Sequence, residues 1–200
     1  MTNINVLTLD VPDISAAEVF YDKAFGLGDR LRFQAAASPS QGFRGFVISL
    51  VVADPTVADS FLEPAIDAGA TVLKPAKKSF WGYGGVVQAP DGAIWKVASS
   101  SKKPTGAPAR EFDDLVLLLG VDDVAATKQF YVDRGFVVGK SYGRKYVEFE
   151  SGPDSVKLAL YGRRAAAKDA GVDAAGSGPH RLAIGSDAGR FTDPDGFSWE

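Results

Sequence analysis

The chain has 200 residues, no cysteine, one histidine and 46% hydrophobic residues, which is enough for a buried core in one or two compact domains. Its formal net charge of −3 comes without a basic stripe or arm, so neither nucleic acid nor a membrane is expected as a partner. The lack of cysteine excludes disulfides, zinc–thiolate sites and thiol nucleophiles.

The first ten residues lack the basic and apolar regions of a signal peptide, so the expected compartment is the cytoplasm. A strand and a helix follow in VLTLDVPDISAAEVFYDKAFGL, residues 6–27. Apolar residues that include Phe20 and Tyr21 recur there at helical spacing, which indicates that they pack in a core. A second strand, Asp and helix are predicted in residues 46–75.

The second part of the chain repeats the first. VLLLGVDDVAATKQFYVDRGFVV, residues 116–138, matches residues 6–27 at an offset of 110, again with a strand, an Asp and a helix that ends in Phe-Tyr. The Ser, Lys, Pro and Gly content of the segment between the copies is typical of a linker. We therefore divide the chain into halves at 1–99 and 113–200, joined by a linker at 100–112.

Each half is trimmed in a different place. The first module of the first half is shortened, and the last module of the second half lacks its helix. Residues 145–171 predict a hairpin around Gly152 and Pro153, followed by a short Ala-rich helix from about Arg164 and a loop suited to act as a lid. The sheet edges left by this trimming must be covered, so we expect the halves to cover each other or a homodimer to do so.

Both halves close on Pro-Asp-Gly followed by a short aromatic strand, at residues 90–97 and 194–200. Proline sets φ, the aspartate bonds nearby backbone groups and glycine takes positive φ, so the motif predicts a turn. Asp91 and Asp195 are therefore interpreted as structural.

These motifs resemble the glyoxalase, bleomycin resistance protein and dioxygenase superfamily, also called the vicinal oxygen chelate superfamily. The resemblance rests on the strand, Asp and Phe-Tyr helix starts, on FWGYGGVVQAPDGAIWKVA (residues 80–98) and on DPDGFSWE (residues 193–200). It implies an α+β fold in which repeated βαβββ modules form two curved mixed sheets, in two degenerate glyoxalase-like halves. The fold alone does not assign a function, since its members are chemically diverse.

Metal-using members of this superfamily hold a divalent ion in the concave sheet, usually on His and Glu. The two-residue period of the strands assigns the corresponding positions here. These positions are Val6, Val47, Lys96, Val116, Leu158, Arg181 and Glu200. Only Glu200 has a ligand-type side chain, and one carboxylate does not hold a catalytic metal, so we expect no metal and no cofactor. His180 could replace Arg181 only if the strand slipped by one residue; otherwise it is an imidazole near the surface or bonded to backbone.

We expect instead a cavity for a small organic molecule. The predicted ligand-binding residues are Val6, Thr8, Val47, Ser49, Phe80, Trp81, Tyr83, Lys96, Val116, Leu158, Arg181 and Glu200. Lys96 and Arg181 would recognise an anion, although Lys96 could instead pair with an internal acid such as Asp10. The aromatic loop at residues 79–85 is either a ligand wall or a packing element.

The sequence thus favours a metal-independent small-molecule-binding protein that sequesters an aromatic or anionic compound. One alternative is a metal-dependent lyase or dioxygenase-like enzyme with a non-standard site. The other is a non-catalytic assembly protein.

Overall fold

The computed structural model describes residues 2–106 and 108–200. Met1 and Ala107, which belong to the predicted first half and linker, lie outside the described residues. The strands are β1 (Ile4–Val11), β2 (Leu31–Ala35), β3 (Gln41–Gly42), β4 (Phe46–Val51), β5 (Thr71–Ser79), β6 (Gly82–Gln88), β7 (Ile94–Ser99), β8 (Asp114–Val121), β9 (Val138–Tyr142), β10 (Tyr146–Phe149), β11 (Lys157–Gly162), β12 (Gly176–Ser177), β13 (Leu182–Ser186), β14 (Phe191–Thr192) and β15 (Ser198–Trp199). The helices are α1 (Ile14–Ala24), α2 (Pro55–Asp67), α3 (Val124–Val132) and α4 (Arg163–Ala170), with a 3-10 turn at Gly28–Arg30. Within the described ranges, no helix is both long enough and apolar enough to cross a membrane.

The strand, Asp and helix motifs all begin their helices in the same way. Asp13, Asp54 and Asp123 are the N-caps of α1, α2 and α3, and each carboxylate accepts hydrogen bonds from backbone N–H groups of the first turn. Such a cap satisfies donors that have no partner within the helix. The repeated aspartate is therefore the signal that ends each strand and starts the following helix.

The strands form two main sheets, and each sheet combines strands from both predicted halves. The eight-stranded sheet has the order β5-β6-β7-β4-β8-β11-β10-β9, and the five-stranded sheet has the order β14-β15-β13-β1-β2. The antiparallel pair of β4 and β8 joins the halves at the centre of the larger sheet. In the smaller sheet, β1 of the shortened first module pairs with β13 of the truncated last module. The predicted α+β fold is confirmed, and the two trimmed modules pair with each other.

The Phe-Tyr helix ends fill the core and connect to the Pro-Asp-Gly turns. Tyr21 and Tyr131 are buried, and their hydroxyl groups donate to Asp91 at 2.6 Å and to Asp193 at 2.5 Å. Burial, and then the adjacent carboxylate, raises the pKa of each phenol well above its usual value, so each hydroxyl stays protonated even in alkaline solution. Asp195 instead accepts from Thr127 at 2.7 Å. The turn aspartates thus have a structural role, as the motif predicts.

Replacing Tyr131 with Phe should lower the free energy of unfolding by about 1–3 kcal/mol, because Oδ2 of the buried Asp193 loses its donor. Urea denaturation measures the change. The matched variant Tyr142→Phe removes a hydroxyl from a side chain that is 65% exposed and should change stability by less than about 0.5 kcal/mol. Equal effects in the two variants would contradict the role of the buried pair.

Candidate ligand-binding cavity

The eight-stranded sheet has one face in the main core and one face turned away from it, which we call the open face. Side chains alternate between these faces along β4: Ile48 and Leu50 belong to the main core, whereas Val47 and Ser49 lie on the open face. On β7, Trp95 and Val97 are core residues and Lys96 lies on the open face. The two-residue period therefore places Ser49 and Lys96 on the same face, as predicted.

Helix α4 covers part of the open face. Its residues Ala166, Ala167 and Ala170 form a second hydrophobic core with sheet residues that include Val47 and Val86. The close approach depends on Gly120 of β8, where an added Cβ would lie 3.3 Å from Cβ of Ala166. The predicted Ala-rich helix is thus present, but it packs on the sheet and buries Val47, which was predicted to line the ligand cavity.

The uncovered part of the open face forms a cavity of about 580 Å³. Its lining includes the aromatic side chains of Trp81, Tyr142, Tyr146 and Tyr161. Trp81 belongs to the β5–β6 hairpin and Tyr142 to the β9–β10 hairpin, which are at opposite edges of the sheet. The ring centroids of Tyr142 and Tyr146 are 6.1 Å apart, and those of Tyr146 and Tyr161 are 6.0 Å apart. Aromatic walls from both halves therefore enclose one space.

An ion pair lies at one end of this cavity. Nζ of Lys96 is 2.7 Å from Oδ2 of Asp169 in the last turn of α4, and the two side chains are 33% and 43% exposed. An internal acid was the predicted alternative for Lys96, with Asp10 as the example, but Asp10 instead accepts a hydrogen bond from Gln34 at 2.7 Å. The actual partner differs because α4 folds back over the sheet.

A second charged group, Glu148 of β10, lies in the same cavity. Its carboxylate accepts a hydrogen bond from the Tyr146 hydroxyl at 3.1 Å and is 3.4 Å from Nζ of Lys140 and 3.9 Å from Nζ of Lys157. Burial, and then the charge of Glu148, raises the pKa of Tyr146 above its ordinary value. The phenol is therefore a hydrogen-bond donor at neutral pH.

Several lining residues were not predicted from the sequence, among them Tyr142, Tyr146, Glu148, Tyr161 and Asp169. For Tyr146 and Glu148 the available signal was the alternation in KYVEFE, where Val147 and Phe149 are core residues and Tyr146 and Glu148 face the cavity.

Of the predicted site residues, Ser49, Trp81, Lys96 and Val116 line this cavity together. Phe80 lies beside Trp81 in an edge-to-face arrangement at 5.0 Å and is largely exposed.

Tyr83 was assigned to the wrong face of the sheet. Its side chain packs against the main core, and its hydroxyl donates to Asp59 of α2 at 2.7 Å. Desolvation, and then the hydrogen bond to Asp59, raises the pKa of Tyr83 to about 12.

Leu158 was also assigned to the wrong face. It is buried in the main core opposite Leu117 of β8, while Tyr161, three residues further along β11, reaches the open face. The alignment of the two halves was therefore wrong by one residue in β11. A shift of one residue moves every side chain of a strand to the opposite face of the sheet.

The other predicted residues lie in or beside the five-stranded sheet. Val6 and Thr8 are opposite Gly185 and Ala183 of β13, and the backbone of Glu200 bonds to Ile184 and Ser186. They do not line the aromatic cavity.

Arg181 and His180 precede β13. Arg181 has a φ of +58°, which interrupts the strand alternation, and it donates to the carbonyl oxygen of Ser38 at 3.0 Å. Arg181 and Lys96 therefore do not form one anion site. The ring nitrogens of His180 lie 2.6 Å and 2.9 Å from the carbonyl oxygens of Arg44 and Asp195. This is the backbone-bound imidazole of the structural interpretation, with both ring nitrogens next to backbone carbonyl groups.

The donor set of the cavity does not fit a divalent ion. Across residues 2–106 and 108–200, no three His, Cys, Asp or Glu side chains are grouped so that they could hold a metal. On the open face, Val47, Lys96 and Val116 occupy positions at which the resemblance implies ligands, and none of them offers a lone pair at neutral pH.

No protein-family model matches the chain, and no curated protein does so. Glyoxalase I from Zea mays is similar in structure, with a TM-score of 0.64 and 15% identity over 100% of this chain and 91% of that chain. A point mutant of the same enzyme, in another crystal structure, gives a TM-score of 0.62 and 14% identity over 99% of this chain and 92% of that chain. The chain has the vicinal oxygen chelate fold. At this level of identity the similarity shows the fold alone, so the function of this chain depends on the residues of its own cavity.

Protein purified without a chelator should contain only substoichiometric metal by mass spectrometry, and EDTA should leave its melting temperature unchanged, because the cavity lacks a ligand set. Stoichiometric Fe, Mn, Ni or Zn would overturn this prediction and favour the enzyme alternative.

Replacing Gly120 with Val should destabilise the protein by about 1–3 kcal/mol, because the new side chain would collide with α4. Urea denaturation measures the loss. Gly106→Val is the control, since an added Cβ there meets no atom within 4 Å. A Gly120→Val variant as stable as its control would show that α4 does not depend on this close contact.

Proposed function

We propose that this protein binds a small aromatic compound, without a metal ion, in the cavity on the open face. The observation that supports this most directly is the set of four aromatic side chains, from both edges of the sheet, around one cavity of about 580 Å³. A volume of roughly 300–1,000 Å³ with apolar walls and few polar groups is typical of small-molecule sites. Aromatic rings add specific edge and face contacts to apolar burial.

The charged groups of the cavity favour binding over catalysis. Lys96 is engaged by Asp169, and Glu148 is engaged by Tyr146 and Lys140. A general acid or base must lie within hydrogen-bond reach of the proton that it transfers, and each of these groups already has a partner within the chain. These pairs place charged groups on β7 and on β10 beside the apolar walls, where they can orient a ligand by hydrogen bonds.

Trp81 provides a direct measurement of binding. It is 83% exposed, whereas Trp95 and Trp199 are buried in the core, so a ligand in the cavity should quench and blue-shift the emission of Trp81 alone. A screen of aromatic compounds by this signal and by thermal shift should identify binders. If no aromatic compound in such a screen changes either signal, the proposed function is wrong.

Replacing Tyr142 with Ala should weaken an identified aromatic ligand by about 0.5–1.5 kcal/mol, because it removes one ring contact. Isothermal titration calorimetry gives the affinity. Val19→Ala, which shortens an exposed side chain on α1, is the control and should leave the affinity unchanged. Equal affinities in the two variants would place the ligand elsewhere.

A further inference from the structure

A smaller pocket of about 280 Å³ adjoins the aromatic cavity. Trp81, Lys96, Ala98 and Asp169 line both spaces, so one ligand could extend from the aromatic cavity into the smaller pocket. Glycines 82, 84 and 85 contribute no side chains to this pocket, so the backbone of β6 forms part of its lining.

The charged residues that line the smaller pocket are three lysines and one aspartate, although the whole chain is acidic. Lys74 of β5 and Lys96 of β7 are both paired with Val86 of β6, which places them in one row across the sheet, about 10 Å apart at the backbone. Lys77 is paired with Gly84, whose other neighbour is Ala98. Three lysines therefore line a pocket that has a single carboxylate.

The C-terminal end of α4 already supplies acceptor oxygens to two of these lysines. Nζ of Lys74 donates to the carbonyl oxygens of Lys168 and Asp169 at 2.9 Å and 2.6 Å. Nζ of Lys96 lies 2.7 Å from the Asp169 carboxylate. The chain thus shows that the geometry of the pocket suits anionic oxygen.

The Asp169 carboxylate is a replaceable occupant. It lies in the last turn of α4, where the negative end of the helix dipole disfavours a negative charge. The pair with Lys96 is also partly exposed, so solvent screens it. An acidic group on a ligand would meet Lys77 as well as Lys96, since Lys77 is exposed on β5 and lines the same pocket.

Lysines on an edge strand commonly protect a sheet from edge-to-edge aggregation, and β5 is an edge strand. That role does not account for Lys96, which is on the interior strand β7, or for Lys74, whose ammonium group is turned onto α4.

We infer that the pocket of Lys74, Lys77 and Lys96 is an anion subsite, and that the aromatic ligand has a carboxylate or phosphate group that replaces Asp169 there. Asp169 is then a specificity-determining residue, because it competes with the ligand for Lys96. This inference rests on the proposed function for the aromatic part of the ligand.

Three probes with one ring system test it: 1-naphthylmethanol, 1-naphthoate and 1-naphthyl phosphate, titrated by calorimetry. Asp169→Asn should raise the affinity for one or both acidic probes by about five- to tenfold, since it removes the internal competitor. It should change the affinity for the neutral probe less than twofold. Lys77→Gln replaces an exposed side chain, so it carries little risk to folding. It should lower the affinity for the same acidic probe that Asp169→Asn strengthens, by about three- to fivefold. A response of 1-naphthoate indicates a carboxylate subsite, and a response of 1-naphthyl phosphate indicates a phosphate subsite.

Asp67→Asn on α2 and Lys23→Gln on α1 make the same charge changes at exposed positions away from both the cavity and the pocket. They should leave all three affinities within twofold of the unmodified chain. Suppose that the neutral probe binds and that neither Asp169→Asn nor Lys77→Gln changes the affinity for the acidic probes. This result would overturn the anion subsite but not the proposed aromatic cavity. Failure of all three probes, together with a failed aromatic screen, would overturn the proposed function itself.

Discussion

The antiparallel pairing of β4 with β8 is the constraint on which the rest of the molecule depends. It runs from Phe46 opposite Leu119 to Val51 opposite Asp114 and joins the two parts of the chain in one eight-stranded sheet. Because the other strands of each part extend outward from this pair, the β5–β6 and β9–β10 hairpins form the two edges. Aromatic side chains from residues far apart in the sequence therefore line one cavity.

Helix α4 breaks the symmetry between the two parts of this sheet. It follows β11 directly, and its alanines and Gly120 allow it to lie close to the open face. Small side chains at the contact bring backbones together, so part of the face becomes a packed core. The other part stays open because the helix has only eight residues. The same helix brings Asp169 to Lys96, so it determines both the size of the cavity and its charge.

The fold is thus present, but the described residues contain no group of side chains that fits the metal site implied by the resemblance. Valines occupy two of the open-face positions at which ligands would be expected, and a lysine occupies a third. Apolar and aromatic side chains at these positions favour burial of an apolar ligand, because water in contact with such walls is released on binding. The charged groups of the cavity are paired within the chain, which reduces the free-energy cost of keeping them in a partly apolar space.

The sequence by itself determined the features that depend on local rules: the succession of strand, Asp and helix, the Pro-Asp-Gly turns, the repeated modules and the face of Ser49 and Lys96 on their strands. Capping, turn chemistry and the two-residue period act over a few residues, so one sequence suffices to predict them. Only the tertiary structure determined which residues these strand faces contact. The partner of Lys96 is 73 residues away on α4, the phase of β11 follows from its pairing with β8, and the positive φ of Arg181 directs that side chain away from any shared anion site. Such contacts arise from strand pairing and helix packing across long separations, which local periodicity does not specify.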